Sequence, residues 1–203
     1  MVQDPSQPLR EVLETSRLVL RRYRPSDAEA VHRLIDDWEV VRWLAQVPYP
    51  YSLADARGWI DRTVRDWNSG IDHQFAILKK TAGGTDLVGA VGLRADPARS
   101  LRVRELGYWF TPNVWGHGLG TEAALAMLDF GFGDIGMEMV WATALPDNSR
   151  SQRVLMKAGL VADGVQTGHF VPIGKTVECP RFVLSRERYA LWVSTDSAGV
   201  CPT

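Results

Sequence analysis

The sequence predicts an α/β chain of the α+β type. It describes a mixed, twisted sheet of six to seven strands, antiparallel first and parallel across its centre, with helices on both faces. Three observations predict this. Gln74–Lys79, Leu87–Arg94 and Leu101–Phe110 read as successive strands joined by the turns T-A-G-G-T (Thr81–Thr85) and D-P-A-R-S (Asp96–Ser100), an antiparallel meander. Met139–Thr143 then reads as a strand that follows a helix that follows a strand, which implies a parallel pair with a right-handed crossover. Between them lies Glu105–Gly120, E-L-G-Y-W-F-T-P-N-V-W-G-H-G-L-G: a strand ending at Thr111-Pro112, a glycine-rich loop, and the start of a helix. Where a parallel pair splays apart, a ligand enters at the carboxyl ends of the strands.

Size and composition bound the function. At 203 residues the chain reads as one domain, and 45% apolar with 23% charged residues is enough to build a core. A net charge of −1 and a pI near 6.4 argue against non-specific nucleic-acid binding. The cysteines, Cys179 and Cys201, form no C-x-x-C and fit a reducing cytoplasm. No signal peptide is visible at the start, and no apolar run approaches the length that spans a membrane. His32, His73, His117 and His169 show no ligand spacing, so no metal is expected.

Taken in order, residues 1–13 are polar and read as a mobile arm or an edge extension. Arg17–Tyr23 is the first strand, stopped by Pro25. S-D-A-E (Ser26–Glu29) reads as a capping box opening the first helix, whose apolar face is Ala30, Val31, Leu34 and Ile35. Trp38–Tyr51 is irregular and aromatic, either a packed connector or a wall for an acceptor. S-L-A-D (Ser52–Asp55) opens the second helix, with Trp59, Ile60, Thr63, Val64 and Trp67 on one face and Asn68-Ser69-Gly70 as its stop. After the meander, the third helix runs over Leu119–Ile135, with Leu119, Ala123, Ala126, Met127 and Phe130 on one face. The fourth runs over Asn148–Ala158, with Gly159 as its C′ residue. Leu160–Gln166 and Val177–Leu184 read as a final hairpin with His169–Lys175 in its loop. Residues 189–203 read as a tail whose end is disordered.

The glycine loop suits an anion. Glycine allows sharp turns and close approach, and a helix N-terminus offers free N–H groups and a positive dipole end. The loop is one residue too short for the dinucleotide pattern G-x-G-x-x-G and lacks the lysine of a nucleotide-hydrolysing P-loop. An ordinary connection without a ligand is the alternative.

A second stretch narrows the choice. Trp115–Ala123 (W-G-H-G-L-G-T-E-A) resembles the R/Q-x-x-G-x-G/A acyl-CoA loop of the GNAT acyltransferase superfamily. Asn148, Ser151, Val154, Lys157, Gly159 and Leu160 resemble its N-x-x-[SA]-x-x-V/L-x-x-K-x-G-F/L motif. Thr15–Tyr23 and Arg104–Phe110 are similar to the RimJ/RimL-like branch, the N-terminal acetyltransferases of ribosomal proteins. The likeness covers roughly Glu14 to Arg188, and implies a single GNAT domain over 14–188. Two positions depart. Trp115 stands where many members have Arg or Gln. Leu155 stands where many carry a tyrosine that protonates the departing thiolate, so that role falls elsewhere or is absent.

The resemblance implies acyl-CoA, acetyl-CoA first, as co-substrate, and an amine as acceptor. The pyrophosphate is expected on the backbone N–H groups of Gly116, His117, Gly118, Leu119, Gly120 and Thr121, beside Trp115. The His117 side chain either touches a phosphate or is merely solvated. Main-chain N–H groups near Trp109 and Phe110 are expected to polarise the thioester carbonyl. Glu105, which strand alternation places with Val103, Gly107 and Trp109, is the candidate base; an apolar setting would raise its pKa. The alternative is a structural ion pair to an arginine of the neighbouring strand. Ser151, in the first turn of a helix capped by Asn148, is the candidate donor to the thiolate, whose pKa near 8.5 demands little help. The alternative is a local backbone cap. Asn148 either bonds the pantetheine amide or only caps.

The reading is therefore a cytoplasmic N-acyltransferase working by direct transfer in a ternary complex, since no cysteine lies in these motifs. A longer or charged donor such as succinyl-CoA, and a non-catalytic acyl-CoA-binding module, are the alternatives. The acceptor is not legible. A homodimer is compatible with this fold, but the sequence assigns no interface.

Overall fold

The computed structural model describes residues 8–96 and 99–196. The elements in chain order are β1 (Val12–Glu14), β2 (Leu18–Arg22), α1 (Ala28–Ile35), α2 (Trp38–Val41), α3 (Leu53–Asn68), β3 (Asp72–Thr81), β4 (Gly84–Asp96), β5 (Ser100–Phe110), α4 (Leu119–Phe130), β6 (Met139–Thr143), α5 (Ser149–Lys157), β7 (Val161–Phe170), β8 (Lys175–Ser185) and α6 (Arg186–Asp196). They build one sheet in the order β1-β2-β3-β4-β5-β6-β8-β7. Every neighbouring pair is antiparallel except β5 and β6. The sheet has eight strands, not six to seven. The addition is β1, which pairs with β2 through Val12↔Arg21 and Glu14↔Val19. The arm expected over residues 1–13 thus ends as an edge strand.

Alternation along the strands sorts side chains into two cores. Leu18, Leu20, Phe75, Ile77, Val91, Leu93, Leu106 and Phe110 face α4 and α5. Ala76, Ala90 and Trp109 face α1, α2 and α3. A bulge between Ile77 and Leu78 in the β3–β4 register leaves Val88 as an extra residue. Its carbonyl accepts from Thr111 N (2.9 Å), just past the end of β5.

The capping box at Ser52–Asp55 forms as expected: Ser52 Oγ accepts from Asp55 N, and Asp55 accepts from Ser52 N. Gly159 follows α5 at φ +90°. The box expected at Ser26–Glu29 does not form. Pro25–Asp27 is a 3₁₀ turn instead, and Asp27 accepts from Arg24 N and from both terminal nitrogens of Arg21. The Asp27 carboxylate, anchored by the Arg21 guanidinium of β2, takes the capping role in place of the serine. The third helix ends earlier than expected, at Phe130, and a π turn carries the chain through Gly131–Ile135. The final hairpin is longer than expected. His169 is in β7, with its ring 3.1 Å from Thr176 Oγ1 on β8, and the connection shrinks to 171–174. The expected tail includes most of α6, whose Tyr189 stacks on Phe132 at 4.4 Å between centroids. The disorder expected at the chain's end falls on 197–203, outside the described residues. No helix among the described residues is long and apolar enough to cross a membrane.

Candidate active site

The site begins where β5 and β6 part. Their parallel ladder has only Val103↔Met139, Arg104↔Val140 and Glu105↔Trp141. Beyond it, Ala142 and Thr143 of β6 keep a partner on the β8 side alone, and Leu106–Phe110 keeps a partner on the β4 side alone. That leaves one edge of β5 open to an extended ligand. The gap is the floor of a cavity of about 780 Å³. Every site residue expected from the sequence lines it except His117.

The loop after β5 is shaped by its glycines. Gly116 (φ +81°) and Gly118 (φ +78°) are left-handed, and no non-glycine residue described has a positive φ. Trp115 is pinned by its indole N–H, which donates to the Phe110 carbonyl (2.8 Å). Gly118 is the N-cap of α4, so the first-turn amides of Leu119, Gly120 and Thr121 have no helical partner, and these three residues line the cavity. A Cβ at Gly120 would sit 3.2 Å from Val154 Cγ2, so glycine also lets α4 approach α5.

A clasp holds this loop from behind, and sequence reading missed it. Glu122 Oε1 accepts from Thr15 Oγ1 (2.5 Å), Ser16 Oγ (3.1 Å) and Arg17 N (2.9 Å), and Oε2 accepts from Arg17 Nε (2.7 Å). Arg17 Nη1 then donates to the His117 carbonyl (2.8 Å). These donors hold Glu122 below the usual carboxylate range, although desolvation, the largest single influence, acts in the opposite direction. The only local signal was an acid in the first turn of a helix. The His117 side chain is exposed, and its carbonyl is what the fold uses.

Glu105 lines the cavity and lies directly opposite Arg94 on β4, whose Nη2 donates to Oε2 at 2.6 Å. The apolar setting expected around Glu105 is therefore interrupted by a guanidinium. At side-chain exposures of 26% and 55%, this pair contributes little to stability.

Asn148 caps α5, its Oδ1 accepting from Ser151 N (3.1 Å). Ser151 Oγ meets the phenol of Tyr108 at 2.9 Å, and that phenol also reaches the Ser151 carbonyl at 3.1 Å. Tyr108 comes from β5, on the face opposite Trp109, and it too lines the cavity. Burial pushes its phenol well above the ordinary value of 10. Nothing local in the sequence ties residue 108 to residue 151. Leu155 is 1% exposed within the core, so no polar group stands at its position.

Two further walls complete the site. Arg150, Arg153 and Lys157 project from α5 toward the cavity, Arg150 lying 5.1 Å over the Trp115 ring. None of the three has an ion-pair partner among the described residues. Opposite, Arg42, Trp43 and Ala45 line the cavity, and Trp43 packs with Leu145 and Phe170. The aromatic segment is thus both a packed connector and a wall. Among the described residues, no group of three or more His, Cys, Asp or Glu is placed to hold a metal.

The chain matches the acetyltransferase (GNAT) domain over residues 17–161, and it belongs to that family. It is similar to the uncharacterized N-acetyltransferase YoaA of Bacillus subtilis (strain 168), at 29% identity over 154 residues, covering 76% of this chain and 85% of that one. In fold it is similar to the ribosomal-protein-S5-alanine acetyltransferase of Vibrio fischeri, with a TM-score of 0.75 at 16% identity, covering 87% and 97% of the two chains. It is also similar to the microcin C7 self-immunity acetyltransferase MccE in complex with acetyl-CoA and AMP, with a TM-score of 0.72 at 20% identity, covering 84% and 93%.

Proposed function

We propose that the protein moves an acetyl group from acetyl-CoA to a primary amine, a peptide N-terminus or a small-molecule amine, by direct transfer in a ternary complex. One observation carries this reading. The ladder break after Glu105 and Trp141 opens a cavity onto which loop amides, a carboxylate and a hydroxyl all converge. The acetyl-CoA bound to the relative MccE supports the choice of donor.

The N–H groups of Gly116–Thr121 hold the pyrophosphate, assisted by the α4 dipole. The pantetheine arm lies along the open edge of β5 as an added strand, and Asn148 bonds its amide. Main-chain N–H groups around Trp109 and Phe110 polarise the thioester carbonyl. Glu105 takes a proton from the acceptor ammonium, directly or through a water, so that the free amine attacks the thioester carbon, while Arg94 fixes its rotamer. Ser151 donates to the sulfur as the C–S bond breaks. The acceptor enters past Arg42 and Trp43. A cytoplasmic site of action fits this donor, and no metal is assigned.

Thiol release from acetyl-CoA and from succinyl-CoA, over a panel of amines, tests the proposal. Acetyl transfer that falls about a hundredfold in both Glu105→Gln and Ser151→Ala is expected, the range typical of one acid–base group. Unchanged turnover in both variants would overturn the residue roles. No transfer from any acyl-CoA to any amine would overturn the function.

A further inference from the structure

We propose that Tyr108 positions Ser151, donating its phenolic proton to Oγ so that the serine's own proton points into the cleft at the departing sulfur. The proposal rests on the reading of Ser151 as the group that meets that sulfur.

The geometry supplies the reason. The phenol has one proton and two acceptors in reach, Ser151 Oγ at 2.9 Å and the Ser151 carbonyl at 3.1 Å. A hydroxyl has one donor and two acceptor positions. When Tyr108 donates to Oγ, the serine proton cannot also point back at the phenol. A serine inside a helix otherwise tends to turn its proton back to a carbonyl one turn earlier. Tyr108 reaches Oγ from the β5 side and fills one of its two acceptor positions, which limits the directions left to the serine proton. Asn148 fixes the other end of the residue through Ser151 N, so both the backbone and the hydroxyl are held. With Leu155 buried, no second phenol approaches from α5.

The chemistry distinguishes positioning from acid catalysis. As the tetrahedral intermediate collapses, the C–S bond breaks and its electron pair stays on sulfur. Ser151 offers that pair a hydrogen bond. A relay that moved the tyrosine proton through serine to sulfur would leave a buried phenolate, and burial disfavours that charge. The tyrosine therefore stays neutral throughout. The thiolate leaves as an anion and takes its proton from solvent; Glu105 passes the ammonium proton to solvent before attack and then accepts the second nitrogen proton as the amide forms.

A double-mutant cycle on the full chain tests this, reading kcat and the KM for acetyl-CoA in wild type, Tyr108→Phe, Ser151→Ala and the double variant. Calorimetry with acetyl-CoA confirms that each is folded. Tyr108→Phe is expected to lower kcat about tenfold, the scale of one neutral hydrogen bond that orients the serine, with KM unchanged. In the Ser151→Ala background it is expected to add nothing, and the pH dependence of kcat is expected to keep its shape. Three outcomes would overturn the inference: wild-type kcat in Tyr108→Phe; a loss that persists in full without the serine, which makes Tyr108 a direct donor; or a loss carried by KM alone. If Ser151→Ala itself turns over like wild type, the parent reading of Ser151 fails instead, and that result is visible in the same cycle.

Discussion

Cutting the clasp behind the glycine loop should weaken the fold and the cofactor site together. Glu122→Ala removes the acceptor of four hydrogen bonds, from Thr15 Oγ1, Ser16 Oγ, Arg17 N and Arg17 Nε. A hydrogen bond to a charged group contributes about 1.5–3 kcal/mol when sheltered. Glu122 is sheltered, at 14% side-chain exposure, but Arg17 is 50% exposed, so water takes over part of the loss. Discounting the exposed donors leaves about 1–3 kcal/mol in total. At roughly 2–4 °C per kcal/mol for a chain of this size, the melting temperature should fall by about 2–12 °C. The variant also frees Arg17, which tethers the His117 carbonyl, so acetyl-CoA affinity should fall by about tenfold if roughly 1.4 kcal/mol of preorganisation is lost. The pH dependence follows from the lowered pKa of Glu122. A carboxylate held below its unfolded value contributes fully above about pH 4.3, and the contribution is lost as pH falls through the lower folded value. Wild type should therefore lose stability relative to Glu122→Gln on acidification through that window. Scanning calorimetry across pH and titration with acetyl-CoA measure both effects. A variant with wild-type melting temperature and wild-type affinity would refute the clasp.

Three other outcomes follow from the same geometry. Gly89→Ala should destabilise by about 3 kcal/mol or more in urea titration, because its Cβ would sit 2.1 Å from the Trp109 carbonyl oxygen, a backbone atom in the strand that floors the cleft. Replacing Arg150, Arg153 and Lys157 together by alanine should weaken acetyl-CoA binding and flatten its dependence on salt, since these cations, without ion-pair partners among the described residues, line the cavity that the glycine loop also lines; unchanged salt dependence would remove them from the proposed cofactor site. Leu155→Ala should cost about 2–5 kcal/mol of stability in urea titration, the range for a buried leucine.

What the sequence made legible was local. The Ser52–Asp55 box, the left-handed Gly159 and the strand Met139–Thr143 are each specified by residues within one turn or one strand, and each is found. The strand–loop–helix unit at Glu105–Gly120 was legible for the same reason. What stayed hidden depends on partners distant in the chain. β1 is three residues long and exists because β2 is beside it. The start of α1 is set by Arg21 reaching Asp27, so the serine expected to cap it is displaced. α6 lacks an apolar period, and its aromatic Tyr189 stacks on Phe132 in the π turn. The site divides the same way. Glu105 and Ser151 could be picked from their own strand and helix. Arg94 opposite Glu105 was foreseeable only as some arginine on the next strand. Tyr108 beside Ser151, and Thr15–Arg17 around Glu122, are tertiary contacts with no local mark.

Calorimetric titration of wild type and Gly118→Asp with acetyl-CoA and free CoA tests the central claim most directly. Gly118 is left-handed at the mouth of the loop, a conformation aspartate tolerates better than most residues, so the substitution chiefly sets a negative charge where the pyrophosphate should lie. The account predicts saturable binding of both ligands to wild type, and its loss in Gly118→Asp while that variant still melts cooperatively. Binding that survives the aspartate would move the phosphates off this loop. A wild-type protein that binds no CoA species would contradict the acetyltransferase reading itself.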